Sequence, residues 1–570
     1  MAIEVKDIQE AATTLQRYKQ GKANLEQRII DNEEWFKQRH WKHFRRDDGG
    51  KLPSSGYLFN SILNKHADAM DHYPEPTILP REESDEATAE VLSKVIPAIL
   101  ERNDYQKTYS AVWWYKLKQG TGVHGVFFDP VVDDIVVRKC DLLNLFWEPG
   151  VSDIQKSQHL FHVELVDYEL LEKEYPEIDF GVKSSPSIAV ARYQSDESID
   201  TSSKASVVDW YYKKYDNNGN LVLHLCKFVD DKILFASENE KGYEDGYYHH
   251  GLYPFDFDPL YPEEDMPVGF GVIDANKDGQ ESIDEMDSNI QWNLRATAKT
   301  RYAVKNNAGV NEKELADVDS EFVHVSSAGS VADAIAPLQV QQLDASIVNY
   351  RNQKIDELKE TSGNREFNQG ATAGGVTAAS AIAQLQEAGN KLSRDAIISS
   401  YRAYKNVCIM VLELVRQFYT EERVFRITEP NGENRFIAFD NSDMQPQPLG
   451  STMGVDLGVR EPVFDIKVDA QKKSPFSQIS HNQFIMELFN QGFFNPQIAD
   501  QAKEAVSLMQ FDGKDQLMKA LENNAQMFAT LQQQQAQINE LTGQLASLTG
   551  VPGVEEQEVQ DGSYPIQAYG

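Results

Sequence analysis

The stretch from Pro262 to Thr420 constrains the fold of this chain more than any other. Helical periodicity covers Gln280–Val304, an irregular insert follows, and a second helix is predicted over Leu343–Glu360. A loop rich in Gly, Ala and Thr, with the sequence TSGNREFNQGATAGG, separates that helix from a longer one predicted over Val376–Thr420. The loop is longer than a helix-to-helix turn needs to be. An ordinary flexible linker and a loop projecting into a shared cavity both remain open.

The charge balance excludes proteins that grip nucleic acid tightly. The chain has 570 residues, with 55 Lys and Arg against 89 Asp and Glu, and a formal net charge of −34. Tight binding of DNA depends on a basic surface that releases phosphate counterions. An acidic chain repels DNA on average, which is compatible with a passage through which DNA slides. Solubility alone is the other explanation of the acidity.

Motifs for catalysis, cofactors and membrane insertion are absent from the sequence. There is no GxxxxGK[ST], HExxH, GxSxG or GxGxxG pattern, and the histidines show no ligand spacing. The chain has three cysteines, Cys140, Cys226 and Cys408, which are far apart in the sequence and form no CxxC pair. This pattern favours assembly in a reducing cytoplasm. No apolar run approaches the ~20 residues of a membrane helix. We therefore expect a soluble protein without enzymatic activity or cofactor.

The fold class predicted from periodicity is α+β, mainly helical. Helices are expected before residue 120, including Tyr105–Gln119, and strands dominate residues 121–255. A hairpin is predicted where Val207–Tyr212 and Leu221–Leu225 flank a turn rich in Asn and Gly. Helices return over Ser474–Gly550, where heptad-like apolar spacing near residue 540 indicates a coiled-coil-like end.

One segment matches the pattern of a calcium-binding loop. Asp274, Asn276, Asp278 and Glu285 occupy positions 1, 3, 5 and 12 of D-x-[DN]-x-[DN]-G-x5-E. No entering helix is expected before them, because Pro and Gly precede the segment. The alternative is an acidic helix start that complements the helix dipole, and we favour it.

The segment from Trp35 to Arg46 interleaves aromatic and basic residues. Such a pattern is found on surfaces that stack nucleobases or contact phosphates. It is also found on amphipathic helices that dock their aromatic side chains on the same protein. Docking is the interpretation that we favour.

The order of these parts resembles the portal (connector) proteins of tailed bacteriophages. The resemblance covers about residues 20–470. It depends on the segment FNSILNK from Phe59, the proline-bounded Tyr73–Pro80, and the wing-hairpin-like GVFFD from Gly125 with CDLLNLFWEP from Cys140. The segment PVGFG from Pro267 resembles the lead into the first stem helix of portals.

The resemblance implies a domain map and a ring-forming oligomer. The expected parts are a wing (1–262), a first stem helix region (263–304), a clip (305–342), a second stem helix (343–360), a tunnel loop (361–376), a long wing and crown helix (377–420), further wing strands (421–473), a helical crown (474–550) and a flexible tail (551–570).

The same resemblance implies a function and a set of partners. The chain would form a ring, usually of twelve copies, at one vertex of the virion capsid after assembly in the host cytoplasm. Double-stranded DNA would pass without sequence specificity during packaging and ejection. The terminase large subunit, major capsid and scaffolding proteins, and head-completion or tail adaptor proteins would bind the ring. Candidate DNA contacts in the tunnel loop are Asn364, Arg365, Glu366, Asn368 and Gln369.

Three alternatives remain at this point. The first is another head–tail structural protein, against which the helix–loop–helix core counts. The second is an acidic calcium-binding protein that uses the 274–285 segment. The third is a nuclease whose carboxylates hold two metal ions, although no carboxylate pair stands out in the sequence.

Overall fold

The computed structural model contains two compact units, Met1–Lys472 and Lys473–Gly570. In the first unit it describes residues 2–41, 52–181, 188–194, 200–215, 219, 221–243, 246–298, 301–306, 309–317, 319–326, 330–338, 343–363, 391–428, 434–448, 451–452, 455–456 and 459–472. In the second unit it describes 527, 530–531 and 533–544, and residues 533–544 are helical.

The first unit is a mixed α+β structure in which helices form the longest elements. In the described residues they are α1 Val5–Phe36, α2 Tyr57–Asp71, α3 Glu86–Arg102, α4 Tyr105–Gln119, α5 Tyr168–Glu174, α6 Val272–Ala298, α7 Glu312–Ala316, α8 Val331–Ala334, α9 Ala345–Thr361 and α10 Lys391–Phe418.

The strands form small antiparallel sheets. They are β1 His72–Pro80, β2 Thr121–Asp129, β3 Asp134–Lys139, β4 Leu145–Trp147, β5 His159–Asp167, β6 Lys204–Tyr215, β7 Leu221–Val229, β8 Lys232–Ala236, β9 Phe255–Pro259, β10 Tyr261–Pro262, β11 Gly269–Phe270, β12 Arg301–Val304, β13 Ile335–Leu338, β14 Arg423–Thr428, β15 Asn434–Phe439, β16 Gln447–Pro448, β17 Ser451–Thr452, β18 Val455–Asp456, β19 Val459–Arg460 and β20 Phe464–Lys472.

Two of these sheets build the β-rich part of the unit. The larger has the order β4-β5-β6-β7-β8, and the smaller has the order β3-β2-β9. Along β6, Val208, Trp210 and Tyr212 lie on one face and are buried together with Ile8 and Leu15 of α1. The alternation of the strand thus matches the apolar stripe of the helix, and α1 covers this face of the sheet.

The main core lies where α3, α4 and α10 meet the smaller sheet. Tyr404, Val407, Val411 and Val415 of α10 follow helical spacing and are buried in it. One face of the second half of the long predicted helix is therefore buried. The helix is described only from Lys391, so its predicted start at Val376 lies outside the described residues.

Several predicted elements are confirmed with small shifts of their ends. The helix α4 has the predicted bounds. In the hairpin, β6 extends the first predicted strand at both ends, and β7 starts at the predicted Leu221 and continues to Val229. Gly120 ends α4 with a φ of +87°. That conformation is accessible to Gly at no steric cost, which explains why the helix stops there.

Two predictions were wrong between residues 272 and 338. The helix predicted over Gln280–Val304 instead spans Val272–Ala298, and Arg301–Val304 is a strand because it pairs with Ile335–Leu338. Within the irregular insert the sequence also predicts a strand over Phe322–Val325, and the structure has none there. Val325 makes only an isolated bridge with Val310.

Candidate functional site: an anchored helix pair

The helices α6 and α9 form an antiparallel pair. Asp287 of α6 pairs with Arg351 of α9, with Nη2 of Arg351 2.9 Å from Oδ2 of Asp287. Towards the other end, Ile283 packs with Ile355 and Leu358 in one buried cluster. Residue numbers fall along α6 as they rise along α9, so the two helices run in opposite directions. At 1.5 Å per residue, the 27 residues of α6 span about 40 Å.

The pair ends in two paired strands and an exposed apolar surface. The strands β12 and β13 pair antiparallel and connect the far ends of α6 and α9. Large apolar side chains beyond the Asp287–Arg351 pair are more than a third exposed. We call these the distal apolar residues: Trp292, Leu294, Tyr302, Leu338, Ile347, Val348 and Tyr350. A group of this kind in a soluble protein indicates a surface that another molecule covers.

The opposite end of α6 is fixed by hydrogen bonds from α1. The Asn32 side-chain amide donates to the Asp274 carboxylate at 3.0 Å and to the backbone carbonyl of Lys118 at 3.3 Å. Arg28 donates to the carbonyl of Gly269 at 2.9 Å and pairs with Glu263 at 3.2 Å. The first turn of α6 is therefore held against α1 and α4.

The next two turns of α6 are held by the segment that leads into α2. Gln280 accepts a hydrogen bond from the backbone N–H of Leu58 at 2.9 Å and donates to the carbonyl of Ser55. The carboxylate of Asp284, which has no exposed surface, accepts from Ser55 N at 2.9 Å. His40 Nε2 lies 3.2 Å from its other oxygen. The helix pair is thus anchored at its root, and its distal half extends away.

The exposed rows of the pair are polar and acidic. On α6 this row is Ala275, Asp278, Ser282, Glu285 and Asn289. On α9 it is Asn349, Gln353, Asp356 and Glu360. The spacing of three and four residues places each row on one helical face. Neither row contains a basic residue, so phosphates would find no cation on these two faces.

A buried ion pair fixes α10 to the rest of the unit. Lys116 Nζ donates to Asp258 Oδ1 at 2.6 Å, to Ser400 Oγ at 2.7 Å and to the carbonyl of Ala396 at 3.1 Å. Burial lowers the pKa of Lys116, and Asp258 opposes that shift. Burial also lowers the pKa of the nearby His124 to about 4, so this imidazole is neutral at pH 7.

Comparison with protein families identifies the chain. A family model described as phage P22-like portal protein matches residues 68–241 and 253–550. The chain belongs to this family. The matched residues include both helices of the anchored pair and the whole described part of α10. No curated protein matches the chain closely enough to count as a relative.

Membership in the portal family gives the chain a role in the virion. Portal proteins are structural components of the phage capsid that serve genome packaging and connect head and tail. The family as a whole is not enzymatic, and its members form homo-oligomeric rings with capsid and terminase partners. None of the helices in the described residues is long and apolar enough to cross a membrane.

The predicted DNA contacts of the tunnel loop fall between α9 and α10 in the sequence. Asn364, Arg365, Glu366, Asn368 and Gln369 lie outside the described residues. The described chain stops at Gly363, just after α9, and resumes at the start of α10.

The calcium-loop candidates lie inside one continuous helix. Asp274, Asn276, Asp278 and Glu285 all belong to α6, and the first and last of them are about 16 Å apart along its axis. Asp274 accepts from Asn32, and the Asn276 amide donates to the carbonyl of Val272. A helix cannot wrap these oxygens around one ion. Among the described residues, no group of three or more His, Cys, Asp or Glu is arranged to hold a metal.

The aromatic residues of the Trp35–Arg46 segment that are described pack within the chain. Trp35 stacks on His40 with ring centroids 3.6 Å apart, and Phe36 contacts Phe59 and Trp114. The docking interpretation is confirmed for these two residues. The basic residues from Lys42 to Arg46 lie outside the described residues.

Sequence reasoning missed the residues that anchor the helix pair. Asn32, Gln280 and Asp284 are single polar residues with no motif around them. Apart from the carbonyl of Lys118, their hydrogen-bond partners lie more than 200 positions away in the sequence. The one available signal was the repeated occurrence of polar residues on the apolar face of α6.

Proposed function

We propose that this portal protein forms a ring at one capsid vertex and that double-stranded DNA passes through its axis. The observation that carries the proposal is the anchored helix pair, with acidic outer rows and an exposed apolar distal half. In a ring, copies of this pair would stand side by side around the channel. The portal-family match supports this arrangement, because it includes both helices.

The acidic rows suit a channel wall. Residues 272–363 contain 16 Asp and Glu against 9 Lys and Arg. A wall of this charge repels the phosphates from all sides, so the duplex meets no attractive point at which to stop. Salt shortens the range of this repulsion to about 8 Å at physiological ionic strength. The repulsion therefore acts only on DNA that comes close to the wall.

The distal apolar residues suit the contacts between neighbouring copies. A ring is built from head-to-tail contacts, in which one surface meets a different surface of the next copy. Trp292, Tyr302 and Tyr350 are aromatic, and aromatic residues are enriched at the buried centres of such interfaces. Twelve copies are the number we propose.

The remaining parts follow the domain map. Residues 305–342 would form the clip, on which the terminase large subunit docks during packaging and head-completion or tail adaptor proteins dock afterwards. Residues 1–262 and 421–473 would form the wing, and 474–550 the crown. The wing would face the major capsid and scaffolding proteins.

The loop 361–376 would act as the tunnel loop. Arg365 is its only basic residue, and the adjacent Glu366 opposes it. Arg365 would make brief phosphate contacts, which position DNA but carry no sequence information. We expect Arg365→Ala to change DNA retention in packaged heads, with Thr372→Ala, a change in the same loop outside the candidate contacts, as the matched control. Equal retention in both variants would remove Arg365 from this role.

The ring is tested by particle mass and end-on shape. Twelve chains of 64.5 kDa give 774 kDa by mass photometry, and negative-stain images should show a central hole wide enough for a ~20 Å duplex. Tyr350→Asp should shift the mass towards the single chain. Leu170→Asp changes an equally exposed apolar residue on α5, outside the helix pair, and serves as the control. A single-chain mass for the unmodified protein, even with capsid and scaffolding proteins present, would refute the proposal.

A further inference from the structure

A cavity of about 340 Å³ lies where α10 meets the β-rich part of the unit. It is bounded by the loop at Ser152–Gln155, by β9, by Pro267 and by α10. Ile409 and Met410 of α10, with Leu252, Phe257, Pro259 and Pro267, give it an apolar wall. Its volume is at the lower end of the range for small-ligand sites.

Two carboxylates are the only charged groups among the lining residues of this cavity. Asp153 is exposed at its edge, and Asp256 is nine-tenths buried. The Asn406 side-chain amide donates to Asp256 Oδ1 at 2.8 Å. Asp256 Oδ2 is buried and has no hydrogen-bond partner. A buried carboxylate oxygen without a donor is costly, so its presence calls for an explanation.

The neighbouring lysines are already engaged. Lys116 donates to Asp258, Ser400 and the carbonyl of Ala396. Lys213 donates to the carbonyl of Gln155 at 2.7 Å and lies 4.5 Å from the centre of the Tyr253 ring. Neither lysine lines the cavity. Burial raises the pKa of Asp256, the hydrogen bond from Asn406 opposes that shift, and Asp258 and Asp153 raise the pKa further. A cation bound beside Asp256 would stabilise its ionised form.

We propose that this cavity binds a primary alkylammonium group. The ammonium would bind between the carboxylates of Asp256 and Asp153, and its alkyl stem would pack on Ile409 and Met410. A turn of the Asp256 side chain would bring Oδ2 to the ammonium while Asn406 keeps a donor for the other oxygen. A divalent metal ion fits less well, because it needs six or more oxygen ligands and leaves the apolar wall without a partner.

The alkylammonium group has two possible sources with the same chemistry. One is a free diamine, which the acidic protein would concentrate near its surface. The other is a lysine side chain from a second copy of this chain. The inference concerns the wing and α10, so it does not depend on DNA passing through a channel.

Isothermal titration calorimetry with butylammonium and with 1,4-diaminobutane tests the site on the full-length chain, with neutral 1-butanol as the ligand control. We expect one saturable site per chain for both amines and none for butanol. Asp256→Asn should weaken the affinity at least about tenfold, because a hydrogen bond to a charged group is lost. Asp31→Asn, an exposed change on α1, should leave it unaltered.

Further variants keep the test independent of folding. Asp153→Asn changes an exposed residue and should also weaken binding, and Ile409→Trp, at a half-buried position, should weaken it by occupying part of the cavity. Binding by separate chains that disappears in assembled particles would identify a lysine of the neighbouring copy as the occupant. Binding that persists in both would identify a free amine. Absence of binding in both states, or equal affinity in all variants, would overturn the inference.

Discussion

The buried Lys116–Asp258 pair should make α10 unusually sensitive to a single substitution. Replacement of Lys116 by Met keeps most of the side-chain volume and removes the charge. Asp258, only 2% exposed, then keeps one hydrogen bond, from Ser400 Oγ at 2.5 Å. The carboxylate loses its cation in a place that water does not reach.

The size of the effect follows from which groups stay behind. Removal of one partner from a buried ion pair costs roughly 3–5 kcal/mol of unfolding free energy. The remaining bond from Ser400 places Lys116→Met near the lower end, at about 3 kcal/mol. Lys116→Met combined with Asp258→Asn leaves no buried charge. We expect this double variant to recover about 2 kcal/mol relative to the sum of the single changes.

Urea unfolding of the full chain at one protein concentration measures these free energies. Trp113 is a suitable fluorescent probe, because its ring lies 4.7 Å from Lys116 Nζ. Lys94→Met, which breaks the exposed pair with Glu90, should cause no resolvable change. A loss below about 1 kcal/mol for Lys116→Met, or additive single effects, would refute the assignment of Lys116 as a buried charged partner of Asp258.

Three further substitutions test other contacts. Burial lowers the pKa of Lys22 to about 7. Above pH 7 the unfolded chain therefore binds one more proton than the folded chain, and the unfolding free energy relative to Lys22→Met should rise by ~1.4 kcal/mol per pH unit up to pH 9. Below pH 6 both states carry the proton and the difference should be flat, whereas a flat difference between pH 7 and pH 9 would contradict the lowered pKa of Lys22. Gly120→Ala should lower the unfolding free energy more than Gly150→Ala does, as measured by urea unfolding. Both glycines have φ near +86°, but a Cβ at Gly120 would lie 2.4 Å from the carbonyl oxygen of Gly269, whereas a Cβ at Gly150 would meet nothing within 4 Å. Arg351→Gln should speed hydrogen exchange in α9 and leave exchange in α4 unchanged. Arg295→Gln, at an exposed position of α6, should leave exchange in α9 unchanged.

Local patterns were sufficient to predict some elements and not others. The hairpin of β6 and β7 was found because its turn residues and alternation are contiguous in the sequence. The pairing of β1 with β20 places Ile78 opposite Ile466, almost 390 positions away. The segment Tyr73–Pro80 resembles the proline-bounded strand of portal proteins, but its local pattern alone does not predict a strand, since Pro74 and Pro76 interrupt it. As the chain is described, β1 pairs only with β20, and a strand at a sheet edge tolerates proline.

In the candidate site, too, local sequence patterns predicted the helices but not the surroundings of single residues. Apolar periodicity identified α6 and α9 as helices, but it carried no information on what surrounds the polar residues within them. Asp284 looked like one of many carboxylates in an acidic segment, yet it is fully buried and binds Ser55 and lies against His40. Glu285, the next residue, is exposed on the acidic row. Charge counting treats these two carboxylates as equal, whereas one fixes the root of the helix pair and the other lies on its exposed surface. A mutational test of the proposed channel should therefore neutralise only the exposed rows, because changes at Asp284 would report on anchoring.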